Sequence, residues 1–131
     1  MNSERMTVNA YCPVAIATAG TDGDLFVVSG FAGKSIVARV DFVADGLLTA
    51  NNSNNATFTA SVGGTTIGTM VTNVAGTGDI ADGGVASMSL TAAGSNLVSE
   101  GGAVKIAVTK TGSGVAVVGQ VAVTFERVRA D

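Results

Sequence analysis

Histidine and tryptophan are absent from this chain of 131 residues, and cysteine and proline occur once each. Without histidine there is no Ser-His-Asp triad and no imidazole acid or base. A single thiol, Cys12, excludes both an intrachain disulfide framework and a Cys/His zinc set. Charge is scarce as well, at 13% of residues, where about 25% is usual. The seven basic residues are scattered from Arg5 to Arg129, so no stripe tracks a phosphate backbone, and nucleic acid is not an expected partner. Long apolar runs are missing too. The most apolar window, Val115 to Val123, is cut by Gly119 and Gln120, well short of the roughly 18 residues a spanning helix needs. Glu4, Asn9 and Pro13 interrupt the apolar core a secretory signal requires. The expectation is a soluble chain with no membrane partner.

What is present points to strands. The chain holds 20 Val and 15 Thr against 5 Leu, a bias toward β-branched side chains that suit a pleated sheet better than a helix. Its 18 glycines, with one proline, suit tight turns and bulges. The length fits one sandwich domain, 21–131, preceded by an N-terminal arm and first edge segment, 1–20, of which Met1 to Asn9 reads as arm.

Along the body, Leu25 to Ser29 reads as the first strand. In Lys34 to Ala44, Ile36, Ala38, Val40 and Phe42 share one face and Val37, Arg39, Asp41 and Val43 the other. Asn51 to Asn55 reads as an exposed loop. Ala56 to Val62 and Thr65 to Val71 flank Gly63-Gly64 as a hairpin with a primed turn. Asn73 to Val85 reads as a loop, with alternation resuming at Met88 and Leu90. Thr91 to Gly102 is bracketed too closely by glycines for a stable helix. In Ala103 to Lys110, Val104, Ile106 and Val108 alternate with Lys105, Ala107 and Thr109, and Thr111 to Gly114 turns the chain. Val115 to Val128 reads as the longest strand, with Gly119 as a bulge or point of close backbone approach. About eight strands at this spacing predict an all-β antiparallel sandwich, jelly-roll or Greek-key. Ala116, Val118 and Ala122 leave the outward parity bland and suggest a second chain over part of that face.

Chemical motifs are weak. Asp22 and Asp24 around Gly23, and Asp79 and Asp82 in GTGDIADGG, supply too few oxygens for calcium and match Asp-Gly turn chemistry. Gly33-Lys34-Ser35 lacks the upstream glycine of a phosphate loop, since position 28 is Val. Tyr11 and five Phe are the whole aromatic set, mostly at core parities, which starves a sugar cleft. Cys12 has no histidine to activate it and reads as a small buried or interfacial hydrophobe. Asn51-Asn52-Ser53 and Asn55-Ala56-Thr57 match glycosylation acceptors and suggest exposure of that loop. No catalytic, cofactor or metal residues are expected, and no enzyme activity.

The succession GFAGKSIVARVDFVADG, TFTASVGGTTIGT and GGAVKIAVTKTGSGVAVVGQVAVTFERV covers roughly residues 24–128. In its Gly/Ala/Thr/Val-rich strands, GG turn and final hairpin with an Arg-bearing tail, it resembles the small capsid cement or decoration proteins of tailed bacteriophages. That resemblance implies a trimer on the capsid exterior at junctions between major capsid proteins, bridging them through many weak contacts. An extended arm would add a strand to a neighbouring sheet edge. The expected capsid or intersubunit contacts are Arg5, Met6, Tyr11 and Pro13. A sandwich module of a phage fibre or adhesin, binding a host glycan or protein, is the alternative expectation.

Overall fold

The computed structural model describes residues 4–72, 78–91, 96–112 and 115–128. The strands are β1 (Arg5–Tyr11), β2 (Gly23–Val28), β3 (Ser35–Ala44), β4 (Asn55–Val62), β5 (Thr65–Thr72), β6 (Val85–Ser87), β7 (Leu97–Val98), β8 (Ala103–Thr111) and β9 (Gly119–Arg127), with one helical turn, α1 (Val14–Ala17), after β1. One sheet has the order β1-β9-β3-β6, with β7 also on β3, and the other β2-β8-β4-β5. Every pairing is antiparallel. The chain changes sheet at almost every connection, and the β4–β5 hairpin is the one tight exception between long strands. That alternation, with the first and last strands side by side, is the jelly-roll order of a β-sandwich.

One apolar core fills the space between the sheets. Val40, Phe42, Val121, Val123 and Phe125 of the first sheet meet Leu25, Val27, Phe58, Ile67, Val104, Ile106 and Val108 of the second. Phe42 and Phe58 stack across the gap with centroids 5.0 Å apart and planes tilted by 45°, an arrangement that suits the ring quadrupoles. The β4–β5 turn is the expected two-residue hairpin. Gly63 and Gly64 both take positive φ, 58° and 85°, as a type I′ turn requires.

Four expectations are corrected. Residues Arg5 to Asn9 are not a free arm. They belong to β1, paired in register with β9 over the whole strand, because side-by-side pairing with a strong strand overrides weak local alternation. Met1 to Ser3 lie outside the described residues. In β3 the inward set changes parity at a bulge between Val37 and Arg39, so Ser35 and Val37 are buried beside Val40, Phe42 and Ala44, while Ile36 and Ala38 are half-buried. Asn96 holds the bulge, receiving the Val37 N–H on its carbonyl (3.0 Å) and donating Nδ2 to the Val37 carbonyl (2.9 Å). The final strand begins at Gly119, not Val115, and β3 is longer. Gly119 is where the backbones close in. A Cβ there would meet the Val43 carbonyl oxygen and the Phe42 ring. Asn55 is buried within β4, so the second glycosylation match is inaccessible. The first, at Asn51, is exposed, and its Oδ1 accepts the N–H groups of Ser53 and Asn54.

Residues 92–95 and 113–114, within the expected helix-free stretch and the expected turn, lie outside the described residues, as do 73–77 of the long loop.

Candidate interaction surface

β1 is an edge strand, bonded to β9 on one side and to no described strand on the other. Its hydrogen bonds have a readable phase. The Glu4 carbonyl accepts the Arg127 N–H at 3.0 Å, and the Cys12 N–H donates to the Gly119 carbonyl at 2.9 Å. With the two-residue period of an antiparallel ladder, even-numbered residues face β9, and Arg5, Thr7, Asn9 and Tyr11 direct their backbone groups outward. Those four also put their side chains on the sheet's outer face. Arg5 Nη2 meets Glu126 Oε2 at 3.1 Å, and Thr7 Oγ1 lies 2.9 Å from Thr124 Oγ1.

The four residues expected from the sequence to make contacts therefore do not form one cluster. Arg5 and Tyr11 share a face but stand about 20 Å apart along the strand. Met6 points to the other side, where its Sδ packs over Gly30. Pro13 is exposed beyond the strand and its carbonyl accepts the Ala17 N–H that closes α1.

Around Tyr11 the structure gathers apolar residues the sequence reading had not joined. Tyr11 is opposite Gln120, Gln120 opposite Val43, and Val43 opposite Val85. At the usual strand spacing this row of four strands is about 14 Å wide. Tyr11 is 77% exposed and Val85 56%. Val118, also exposed, is tied to this row by the Asp45 N–H donating to its carbonyl at 2.9 Å. Val14, 83% exposed, opens α1 just past Cys12, and Leu47, 65% exposed, lies on the turn after Asp45. A depression of about 340 Å³ adjoins it between Leu47, Leu48, Val115 and Ala116. The expected blandness of Val118 is thus part of a larger apolar end.

Four exposed aspartates stand at this end. Asp79 Oδ1 accepts the Ala50 N–H (2.6 Å) and Asp82 Oδ1 the Gly46 N–H (2.9 Å), straddling the two-way Leu48–Ile80 backbone bridge. Those acids, weighed above as calcium ligands, clamp two loops together. Asp22 Oδ1 accepts the Lys110 N–H at 2.7 Å, and Asp45 is exposed. Among the described residues no group of three or more Cys, Asp or Glu side chains has the arrangement to hold a metal ion.

Lys110 is the one described cation at this end. It continues the inward parity of Val104, Ile106 and Val108 and is buried, with Nζ donating to the carbonyls of Ile16 and, at 2.7 Å, Thr18. It thereby adds a charged donor to carbonyls that α1 leaves without intrahelical partners and that also accept the Val117 and Thr21 N–H groups, each at 3.2 Å. Desolvation pushes its pKa below the usual lysine range, opposed by Asp22 and Cys12. Cys12 packs half-buried against the core, and burial raises its thiol to about 11 against the pull of Lys110. A thiol held protonated is a poor nucleophile.

No protein-family model, curated protein or solved structure matches this chain.

Proposed function

We propose that this protein is a structural virion component, a decoration protein that binds the outer surface of a tailed-phage capsid as a trimer and stabilises it by bridging major capsid proteins. The observation that carries this reading is the open edge of β1. Arg5, Thr7, Asn9 and Tyr11 present outward-facing N–H and C=O groups, with a single charge, Arg5, to discourage pairing. Such an edge accepts a strand from a neighbouring chain, with backbone hydrogen bonds giving affinity. The sandwich behind it is a rigid spacer, and repeated weak contacts on an icosahedral shell add through avidity. The likeness of the strand succession to phage cement proteins supports the same reading.

The test is co-sedimentation of the purified protein with expanded heads stripped of decoration, beside light scattering on the free protein. Three copies per particle, pelleting with heads and a higher head melting temperature are the expected results. A monomer that leaves heads unbound and unstabilised overturns the proposal, and glycan binding by a fibre or adhesin module becomes the next question.

A further inference from the structure

The chain's formal charge of −3 is not spread over its surface. Asp24 pairs with Lys105 at 3.7 Å and Arg39 with Asp41 at 2.8 Å near mid-sandwich. At the Glu4 end, Glu4, Glu100 and Glu126 are matched in number by Arg5, Lys34 and Arg127. The imbalance falls at the Tyr11 end, where Asp22, Asp45, Asp79 and Asp82 are exposed and the only described cation, Lys110, is buried and engaged. The largest exposed aliphatic and aromatic surfaces of the first sheet lie at the same end, with Asp45 next to Leu47 in the chain and Asp82 bonded to the Gly46 N–H.

We infer that the Tyr11 end, with Tyr11, Val14, Leu47, Val85 and Val118 at its centre and Asp45 and Asp82 at its rim, docks onto a protein surface that is apolar in the middle and bordered by lysine or arginine. Complementary charge selects this occupant. A second copy of the same end would set aspartates against aspartates. Phosphate backbones and anionic lipid headgroups are repelled for the same reason. An apolar centre with a charged rim is the anatomy of a protein interface, in which the centre contributes affinity and the rim orientation and association rate. The inference rests on the proposed function in one respect, that the partner is the capsid shell, while the chemistry of the surface stands apart from it.

Two arms separate the claims. In the first, the protein is passed over aminohexyl-agarose, which offers an alkyl chain and an amine together, and over alkyl-only and amine-only resins. Preferential retention on the mixed resin is expected, falling as sodium chloride rises from about 0.05 M to about 0.5 M and screens the rim. Asp45→Lys and Val14→Asn should each bind about tenfold more weakly, and Lys34→Glu at the far end should bind as the wild type does. Both positions are exposed, so unchanged thermal melts are expected to show intact folds. Equal retention of all variants overturns the inference. So does loss of oligomeric mass by Val14→Asn in light scattering, because a sister copy would then cover the patch. In the second arm, carbodiimide labelling of carboxyls is read by mass spectrometry on head-bound protein. Protection of Asp45 and Asp82 supports the inference. Full labelling of both on bound heads overturns it and leaves the decoration reading intact, whereas no head binding removes that reading and leaves the resin result to decide the surface.

Discussion

At the Glu4 end of the sandwich Arg5 pairs with Glu126 at 3.1 Å and Arg127 with Glu4 at 3.3 Å, with Arg5 and Glu4 more than half exposed, while Glu100 accepts the Gly33 N–H at 2.8 Å. At the Tyr11 end four aspartates stand around exposed apolar side chains and one lysine goes inside. Surface pairs of the first kind contribute about 0–1 kcal/mol, because each charge was already well solvated. A buried ammonium holding two carbonyls contributes more, since hydrogen bonds to a charged group out of water are stronger than a solvated pair. The described charges of the first end balance in number. The second concentrates both the desolvated ammonium and the most exposed apolar side chains of the first sheet and its flanking turns.

Substitutions grade that contrast. Phe42→Ala, in the core shared by both sheets, should cost about 3–5 kcal/mol in urea unfolding and sets the scale for the contrast. A loss below about 0.5 kcal/mol would mean that the bulged half of β3 does not face inward. Lys110→Ala should cost about 1.5–3 kcal/mol by removing the charged donor from the Ile16 and Thr18 carbonyls, which keep only the Val117 and Thr21 N–H groups. If it costs no more than Arg5→Ala, the two ends are energetically alike and the contrast fails. Arg5→Ala itself should lower stability by under about 1 kcal/mol, with the difference fading at high salt.

Two groups at the Tyr11 end, Lys110 and Cys12, couple stability to alkaline pH. Lys110, its pKa lowered by burial, binds fewer protons folded than unfolded from that lowered value up to 10.5, so its contribution to stability rises with pH across that window. Cys12 works the other way. Its thiol moves from 9.0 to about 11 on folding, so between those values the unfolded chain loses a proton that the native one keeps, and stability falls. Cys12→Ala should therefore make the decline from pH 9.0 to about 11 shallower than in the wild type. Identical slopes in a urea titration series would show that the thiol is solvated.

Much of the sandwich could be read from parity alone. Phe58 and Ala60, and Val104, Ile106 and Val108, alternate cleanly because each strand has one face in the core and the other in solvent. Where the ladder breaks, parity misleads. The bulge in β3 shifts the inward set by one residue, and what signals it, Asn96 gripping Val37, lies 59 positions away. β1 was hidden for a related reason. As an edge strand it buries little, and its order comes from β9, at the far end of the chain. Of the candidate surface, Tyr11 was visible as the lone tyrosine, but Val85, Val118 and Leu47 join it only through cross-strand register. Lys110 had a local signal that went unused, its position on the same parity as three buried aliphatics in AVKIAVTK.

The side-by-side placement of β1 and β9 has an engineering consequence. Glu4 and Arg127 are joined by a backbone hydrogen bond at the end opposite Tyr11. Glu4 and Arg127 thus mark a single spot, at the end turned away from Tyr11. If the Tyr11 end docks as proposed, a reporter or antigen fused at this spot would begin on the solvent side. A short linker between the two points would give a circular permutant, and a new opening at the Gly63-Gly64 turn would place its ends on that same solvent side.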